Sequence, residues 1–502
     1  MDLARKPLPE LKTIPDILRL QAADQPKTIA VIDSKEGCFT YQELFDRVRG
    51  LAASIAHYQP RTIAVLVPRS QAYLVAYFAG LSLGATLVPL DARLTSAEVC
   101  WTLDFCKADM LLYTEETAGL VAQLLDKGAA LPAVAFDQQD YTSRSVEVAD
   151  ALDDSRSSDP DAVALLLHTS GSLDNPKRVM LTHRNLISNA SAHALHMGLM
   201  SEDRVLILLP MHFGYCNTAQ ILAHLLIGST LVILNGSFAP HRCLRLVQEH
   251  RVTTFTAVPT MLLQLQSFVH RQKYDSSSLR LVCFGGAPFP VERLQQLMAE
   301  YPHVALCQTY GQTEAGPRVT GVKPADAARW PGSIGTPIPG VTVKLLTDQG
   351  QPVGPGEIGE IVVQSAGVMK GYLGRPEETA DVIRDGWLYT GDLGQQGVNE
   401  GEYYIVGRKK NFIIRGGINI YPEEIESVFL QHPAVGAVLV RGVPHPVLGE
   451  VPRAYVVPTE GTKITGGELQ SFAANHLAAY KLPKIELVEK LPRTYSGKVL
   501  RR

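Results

Sequence analysis

The stretch HTSGSLDNPKRVMLTHRN, from His168 to Asn185, has the residue types that hold phosphate. Backbone N–H groups and the hydroxyls of Thr169, Ser170 and Ser172 can wrap oxygens around Gly171, and Lys177 can supply positive charge. It is not the P-loop of nucleotide triphosphatases, GxxxxGK followed by Ser or Thr. No second glycine precedes Lys177, and Arg178 stands where the hydroxyl residue is required. An ordinary polar connection has the same composition. The apolar run 162–167 before it predicts a strand buried on both faces. Leu186, Ile187, Ala190, Ala194 and Leu195 predict a helix from about Arg184.

Three further stretches can do chemistry. LPMHFGYCNTAQ (209–220) follows a strand signal, so His212, Phe213 and Tyr215 can line an organic pocket beyond the strand ends, or pack as an aromatic turn. CFGGAP (283–288) places Gly285, Gly286 and Ala287 after a buried strand, where a flat ligand can approach the backbone or the chain can simply turn. QTYGQTEAG (308–316) offers Tyr310 to stack on a base, with Gly311 and Gln312 behind it. Thr313 can donate to a phosphate, and Glu314 is a hard oxygen ligand suited to Mg²⁺.

Positioning these residues takes more than one domain, and 502 residues are too many for one simple core. The first 140 residues alternate helix and strand signals. Thr40 with Glu43 and Thr95 with Glu98 are capping boxes, strands are expected at 62–68 and 85–90, and Ser70 opens an apolar helix. Residues 141–160 are polar and acidic, as in a surface connection. Alternation resumes to about residue 310, with strands expected at 204–209, 230–234, 253–257, 280–284 and 304–309. The pattern predicts an α/β protein whose large N-terminal domain packs two open, mostly parallel sheets with helices. From about 330 to 405, Gly, Pro and short strands predict a β-barrel-like module. The last 90 or so residues read as a small α+β domain, with helices at 422–431 and 467–479.

Composition excludes several classes. The net charge of −3 without a basic block speaks against a nucleic-acid partner. The opening MDLARKPLPELK lacks a signal peptide's apolar core. The longest apolar region, Ile221 to Leu234, is interrupted by His224, Gly228 and Ser229 and is too short to cross a bilayer, so no transmembrane segment is expected. Seven cysteines, an odd number without CxxC, predict reduced thiols in a cytoplasmic protein. No GxGxxG follows the early strands, against a dinucleotide-dependent oxidoreductase.

The phosphate stretch resembles that of the AMP-forming adenylating enzymes: acyl-CoA synthetases, luciferases and the adenylation domains of non-ribosomal peptide synthetases. Their pattern is TSG(S/T)TGxPKG. Thr169, Ser170, Gly171, Ser172, Pro176 and Lys177 match it, whereas Leu173, Asp174 and Arg178 depart from it. Four more motifs follow in the family's order, so the resemblance spans nearly the whole chain. YGQTE resembles the family's YGxTE, with Tyr310, Thr313 and Glu314 in the roles above. In GWLYTGDLG (386–394), Asp392 matches an aspartate that holds the ribose hydroxyls. In GRKKNFIIRGGINIYPEEIE (407–426), Arg408 resembles an arginine near ribose and phosphate, Lys410 stands at the interdomain hinge, and Gly416 and Gly417 resemble the thiol tunnel. In the closing LPRTYSGKVLRR, Lys498 matches the catalytic lysine.

The resemblance implies an enzyme with a large domain at 1–409 and a small mobile domain at 410–502. It implies ATP and Mg²⁺ as cofactors, and activation of a small carboxylic acid through an acyl-adenylate. CoA, or the phosphopantetheine of a separate acyl or peptidyl carrier protein, would accept the acyl group, because no carrier sequence follows within these residues. No acidic residue lies between Val205 and Gln248, where amino-acid-activating relatives usually hold the ammonium group, which favours an aryl, fatty or other acid. An amino-acid adenylation domain and a non-catalytic nucleotide-binding relative with an impaired phosphate loop are the alternatives.

Overall fold

The computed structural model describes residues 11–126, 128, 131–136, 158–168, 177–398, 401–409, 413–415, 418–459 and 461–491. Most of the expected acidic connection 141–160 therefore lies outside the described residues.

Two large sheets dominate. The first has seven strands, in the order Gly371–Tyr372, Arg178–Thr182, Val163–His168, Thr86–Pro89, Thr62–Leu66, Met110–Tyr113 and Ala133–Ala135. The second has nine: Thr336–Pro337, Thr320–Gly321, Ala305–Tyr310, Leu281–Gly285, Thr254–Ala257, Arg204–Ile207, Thr230–Ile233, Ile29–Asp33 and Gly37–Thr40. The central strands of both are parallel. Successive side chains of a strand point to opposite faces. In Thr62–Leu66, Ile63 and Val65 join the central core, while Ala64 and Leu66 join an outer one. In Arg204–Ile207, Val205 and Ile207 join that same central core, and Leu206 joins a second outer one. Every strand that feeds two cores must be apolar throughout, which is why these segments read as continuous hydrophobic runs.

Helices fill the central layer. In Gln71–Ser82 every residue from Gln71 to Leu81 is buried, so the helix has no polar face. Tyr41–Ile55 and Ser96–Cys106 start at the expected capping boxes, Thr40 with Glu43 and Thr95 with Glu98.

Sheet membership does not follow the two runs of alternation in the sequence. Ile29–Asp33 pairs in parallel with Thr230–Ile233 and so belongs to the second sheet, whereas Val163–His168 belongs to the first. The phosphate stretch also differs from a strand-to-helix connection. Arg178–Thr182 forms an antiparallel hairpin with Val163–His168, and the helix His183–Met197 begins only after it, capped by Thr182.

The Gly- and Pro-rich module is an antiparallel sheet of Val341–Leu346, Ile358–Ser365, Trp387–Gln396 and Ile383–Arg384, with Tyr403–Arg408 paired to Trp387–Gln396. Beyond it, Pro422–Gln431 and Gly466–Ala474 pack on a sheet built around Val435–His445 and Gly449–Pro458, with a core of its own around Ile425, Phe429, Val456 and Leu469. The second helix is shorter than the expected 467–479, and a 3₁₀ turn at Ala479–Lys481 follows it.

Candidate active site

The carboxyl ends of Leu281–Gly285 and Ala305–Tyr310 lie side by side, with Gly285 opposite Thr309. A Cβ at Gly285 would sit 2.3 Å from the Thr309 carbonyl oxygen, so only glycine fits there. Gly286 has φ +86° with open space where a Cβ would point, and Gly286 and Ala287 are exposed. A flat ligand can lie against this backbone. Gly311 is equally tight: a Cβ there would lie 1.7 Å from the Pro317 carbonyl oxygen.

Tyr310 ends its strand and reaches across to the antiparallel module. Its hydroxyl donates to Asp392 Oδ2 (2.7 Å), and Arg408 Nε donates to Asp392 Oδ1 (2.7 Å). Asp392 and Arg408 are directly opposed cross-strand neighbours, which fixes the pair. The attraction of Asp392 outweighs burial and holds the Arg408 guanidinium above its ordinary pKa. Burial, reinforced by Asp392, pushes the Tyr310 phenol well above 10, so it stays a donor. The structure thus brings Tyr310, Asp392 and Arg408 together, with the tyrosine hydroxyl and the guanidinium as partners of the carboxylate.

Glu314 follows in a short 3₁₀ turn, Thr313–Ala315, with Gln312 and Thr313 beside it, part-buried. The hydroxyl of Tyr372 donates to Glu314 Oε1 (2.9 Å), which leaves Oε2 without a hydrogen-bond partner among the described residues. Lys177 Nζ sits 4.4 Å from the centroid of the same tyrosine ring and pairs with Glu378 Oε2 at 2.7 Å. Glu378 is held below the usual carboxylate range by Lys177 and then Arg375. One tyrosine therefore ties the lysine of the phosphate stretch to the acidic residue of YGQTE. Among the described residues no group of three or more His, Cys, Asp or Glu side chains could hold a metal. Mg²⁺ ordinarily takes one or two carboxylates and completes its shell with phosphate oxygens and water. A single Glu with one open oxygen fits that ion.

The three pocket candidates lie at the start of the helical run 214–226. His212 Nε2 is 3.5 Å from Asp91 Oδ2, at the end of the first sheet's Thr86–Pro89. Burial raises the Asp91 pKa, but His212 and Arg93 outweigh it and hold the carboxyl well below the usual range. Phe213 packs edge-on against His212 with ring centroids 4.5 Å apart. The Tyr215 hydroxyl bonds to Thr309 Oγ1 (3.1 Å), and the Arg318 guanidinium lies over its ring at 3.7 Å. Tyr215 thus belongs to the wall that runs back to Gly285 and Thr309. Asn217–Leu222 is wound as a π-helix, a form found at functional sites.

Thr169, Ser170, Gly171, Ser172, Lys410, Gly416, Gly417 and Lys498 lie outside the described residues, as do Leu173 and Asp174. Arg178 is described, and it does not face the loop. It is buried on the outer side of the first sheet, where Nη2 donates to Thr102 Oγ1 (2.8 Å). Sequence reading missed Tyr372, Glu378, Asp91 and Arg318. The available signal for Tyr372 was a tyrosine in a strand after glycine; for Arg318 it was a lone charge immediately beyond YGQTEAGP.

The chain is similar to known proteins over nearly its full length. The family model described as AMP-binding enzyme matches residues 18–373, and the one described as AMP-binding enzyme C-terminal domain matches 424–498. A feruloyl-CoA synthase of Amycolatopsis sp is 40% identical over 467 residues, covering 92% of each chain. The solved o-succinylbenzoate CoA synthetase of Bacillus subtilis, in complex with its acyl-adenylate intermediate, superposes with a TM-score of 0.85 at 30% identity over 97% of each chain. The same enzyme with ATP and magnesium ion gives 0.83 at 31% identity, over 97% of this chain and 98% of that one.

Proposed function

The chain belongs to the AMP-binding enzyme family, and from that premise we propose how its residues divide the work of an AMP-forming acid–thiol ligase. The reaction has two displacements. A carboxylate oxygen attacks the α-phosphorus of ATP, pyrophosphate leaves, and an acyl-adenylate forms. A thiol sulfur then attacks the acyl carbonyl, AMP leaves, and a thioester forms.

The observation that carries the assignment of roles is the chain from Lys177 through Tyr372 to Glu314. It sets a lysine over the face of one ring and a carboxylate at that ring's hydroxyl, which supports giving them the phosphates and the metal of a metal–triphosphate. Lys177, with Thr169, Ser170, Gly171 and Ser172, takes the β- and γ-phosphates, and Thr313 donates to the α-phosphate. Glu314 would hold Mg²⁺, which would supply charge neutralisation and Lewis-acid polarisation. Asp392 accepts the ribose hydroxyls beside the donors Tyr310 and Arg408, and the base lies against Gly285, Gly286 and Ala287. Gly311 and Gln312 complete that wall. His212, Phe213 and Tyr215 line the acid pocket.

A carboxylate and a triphosphate repel each other, so the first step needs a cation between them. Lys498 is assigned that place. Because it stands in the C-terminal segment, residues 410–502 must dock on 1–409 for adenylation. Rotation about Lys410 then removes Lys498 and brings Gly416 and Gly417 to line the thiol's approach.

CoA is the proposed acceptor, since the similar proteins are CoA ligases and synthases by name; a carrier-protein phosphopantetheine is the second arm of the test. The proposed acid is aryl or compact. Phe213 and Tyr215 are assigned to the acid pocket, and Asp91, an acidic side chain beside His212, is already paired with Arg93 and His212 rather than open to an ammonium group. All seven cysteines are free, five of them buried, which supports a reducing cytoplasmic setting, and among the described residues no helix is long and apolar enough to cross a membrane.

The test is pyrophosphate release from ATP and Mg²⁺ over aryl, fatty and amino acids, repeated with CoA and with a carrier protein. Acid-dependent release followed by CoA acylation is expected. No release with any acid would favour the non-catalytic nucleotide-binding alternative, for which Leu173 and Asp174 in the phosphate stretch are the motivation.

A further inference from the structure

Lys177 is already engaged by an anion of this chain. Its ammonium lies 2.7 Å from Glu378 Oε2, and Arg375 Nη1 donates to the other oxygen, Oε1, at 2.6 Å. Two cations thus share one carboxylate and keep it ionised. The side chains of Lys177 and Glu378 are 32% and 33% exposed, so water and any anion dissolved in it can reach the pair.

The turn before Glu378 sets its place. Gly371–Tyr372 pairs with the strand that leaves the phosphate stretch, Gly371 opposite Met180 and Tyr372 opposite Val179. The Leu373 N–H donates to the Arg178 carbonyl at 2.9 Å. The chain then folds back on itself: Thr379 Oγ1 accepts from the Tyr372 N–H at 2.9 Å and donates to the Arg375 carbonyl at 2.8 Å. Glu378 follows in the first turn of the helix Pro376–Val382, where the helix dipole favours a negative charge. Backbone pairing therefore delivers a carboxylate to the residue that precedes Arg178.

A phosphate that approaches Lys177 meets a neutralised cation, and Glu378 repels it. It gains the full charge of the lysine only by displacing the carboxylate. That exchange costs little at a part-exposed pair, because Glu378 keeps Arg375 and its freed oxygen turns to water. At a buried pair the same exchange would strand a charge.

Resting on the assignment of Lys177 to the β- and γ-phosphates, we propose that Glu378 is a positioning residue that competes with polyphosphate for Lys177. It holds the ammonium while the site is empty, yields it to ATP, and takes it back as pyrophosphate leaves.

Glu378→Gln keeps the size of the side chain and removes its charge. Calorimetric titration of the full-length enzyme with ATP and Mg²⁺, and with pyrophosphate and Mg²⁺, reads the effect without any acid present. Both dissociation constants should fall about 3- to 10-fold: release from an exposed pair accounts for up to about fivefold, and the lifted repulsion adds to it. The gain should shrink at about 1 M salt, where the screening length is about 3 Å. In a Lys177→Met background the same substitution should shift either constant less than about twofold, which the double-mutant cycle isolates. In steady state, KM for ATP and the inhibition constant of pyrophosphate should fall together, with KM for the acid little changed. Glu378→Ala, a good helix former at the same position, carries the same expectation, so the result does not hang on one variant's folding. Unchanged or larger dissociation constants in both variants overturn the proposal, because the carboxylate would then steady the lysine without competing for it. An equal gain in the Lys177→Met background also overturns it, because the carboxylate would then act on phosphate directly. Pyrophosphate release with any acid keeps the ligase reading whichever way the constants move. A wild type that binds ATP and releases no pyrophosphate with any acid sinks that reading, and the two constants still decide the competition.

Discussion

Tyr372→Phe removes one oxygen atom and tests the link between the phosphate stretch and Glu314, the proposed metal ligand. Tyr372 is 6% exposed, and its hydroxyl donates to Glu314 Oε1 at 2.9 Å. A hydrogen bond to a charged group is worth about 1.5–3 kcal/mol, and the part-buried Glu314 can recover some of that from water, so the stability loss should fall near 1 kcal/mol. The functional loss should be larger. Partners that orient a metal ligand typically matter about 10–100-fold in metal affinity or activity, because the freed carboxylate spends time in rotamers that do not face the ion. The phenylalanine ring keeps the contact with Lys177 Nζ, 4.4 Å from the centroid, so the lysine should stay in place. The assay is pyrophosphate release titrated with Mg²⁺ at saturating acid. Half-saturating Mg²⁺ should rise about 10-fold or more, with KM for the acid little changed. Tyr372→Leu should add a further loss in KM for ATP, as the cation–π contact goes too. If half-saturating Mg²⁺ in Tyr372→Phe stays within about twofold of wild type, the hydroxyl does not orient Glu314 for a metal, and the reasoning is refuted.

Asp392→Asn should raise KM for ATP about 10-fold, the worth of one charge-assisted hydrogen bond to a ribose hydroxyl, while KM for the acid stays put; initial rates over both substrates separate the two. Lys498→Ala should abolish acid-dependent pyrophosphate exchange yet spare CoA acylation from a supplied acyl-adenylate, and exchange at the wild-type rate would refute its assignment. Asp174→Gly should lower KM for ATP, since it removes a negative charge next to the expected pyrophosphate position; an unchanged or higher KM means that Asp174 points away. Burial holds His183 and His224 down at about 4, below the ordinary 6.5, so their neutral forms stabilise the fold above pH 6.5 and that stability is lost as pH falls from 6.5 towards 4. At pH 5 each should have lost about 2 kcal/mol, and His183→Gln should flatten the acid limb of the urea-denaturation midpoint against pH.

The local elements were legible because their causes are local. Capping boxes at Thr40 and Thr95 and continuous apolar runs mark starts and strands wherever they occur. Sheet membership was not legible, because strand order depends on pairings between distant segments, such as Val31 with Leu231. The same limit governs the site. Asp392 and Arg408 sit in motifs and could be named, but Tyr372 meets Glu314 across 58 residues of chain, and no spacing rule connects them. Arg318 escaped for another reason. An isolated arginine is ordinarily a surface residue, and only its burial makes it informative.

The hairpin changes what the departures in the phosphate stretch mean. Read as a loop leading to a helix, the stretch has three departures from the family pattern in a row of ten residues, at Leu173, Asp174 and Arg178. Arg178 is the first residue of a strand, paired with His168. Val179 and Leu181 point to the central core, so by alternation Arg178 and Met180 point to the outer side, where Arg178 meets Thr102. Its charge is therefore spent on the helix Ser96–Cys106 and not on a phosphate. Two departures remain, and of these only Asp174 carries a charge. Lys177 is anchored independently by Tyr372 and Glu378, so the cation at the end of the stretch keeps its place whatever Asp174 does. A weakened phosphate site should then show as a higher KM for ATP with kcat preserved, because the groups assigned to the reacting centre, Glu314 and Lys498, are in other segments of the chain.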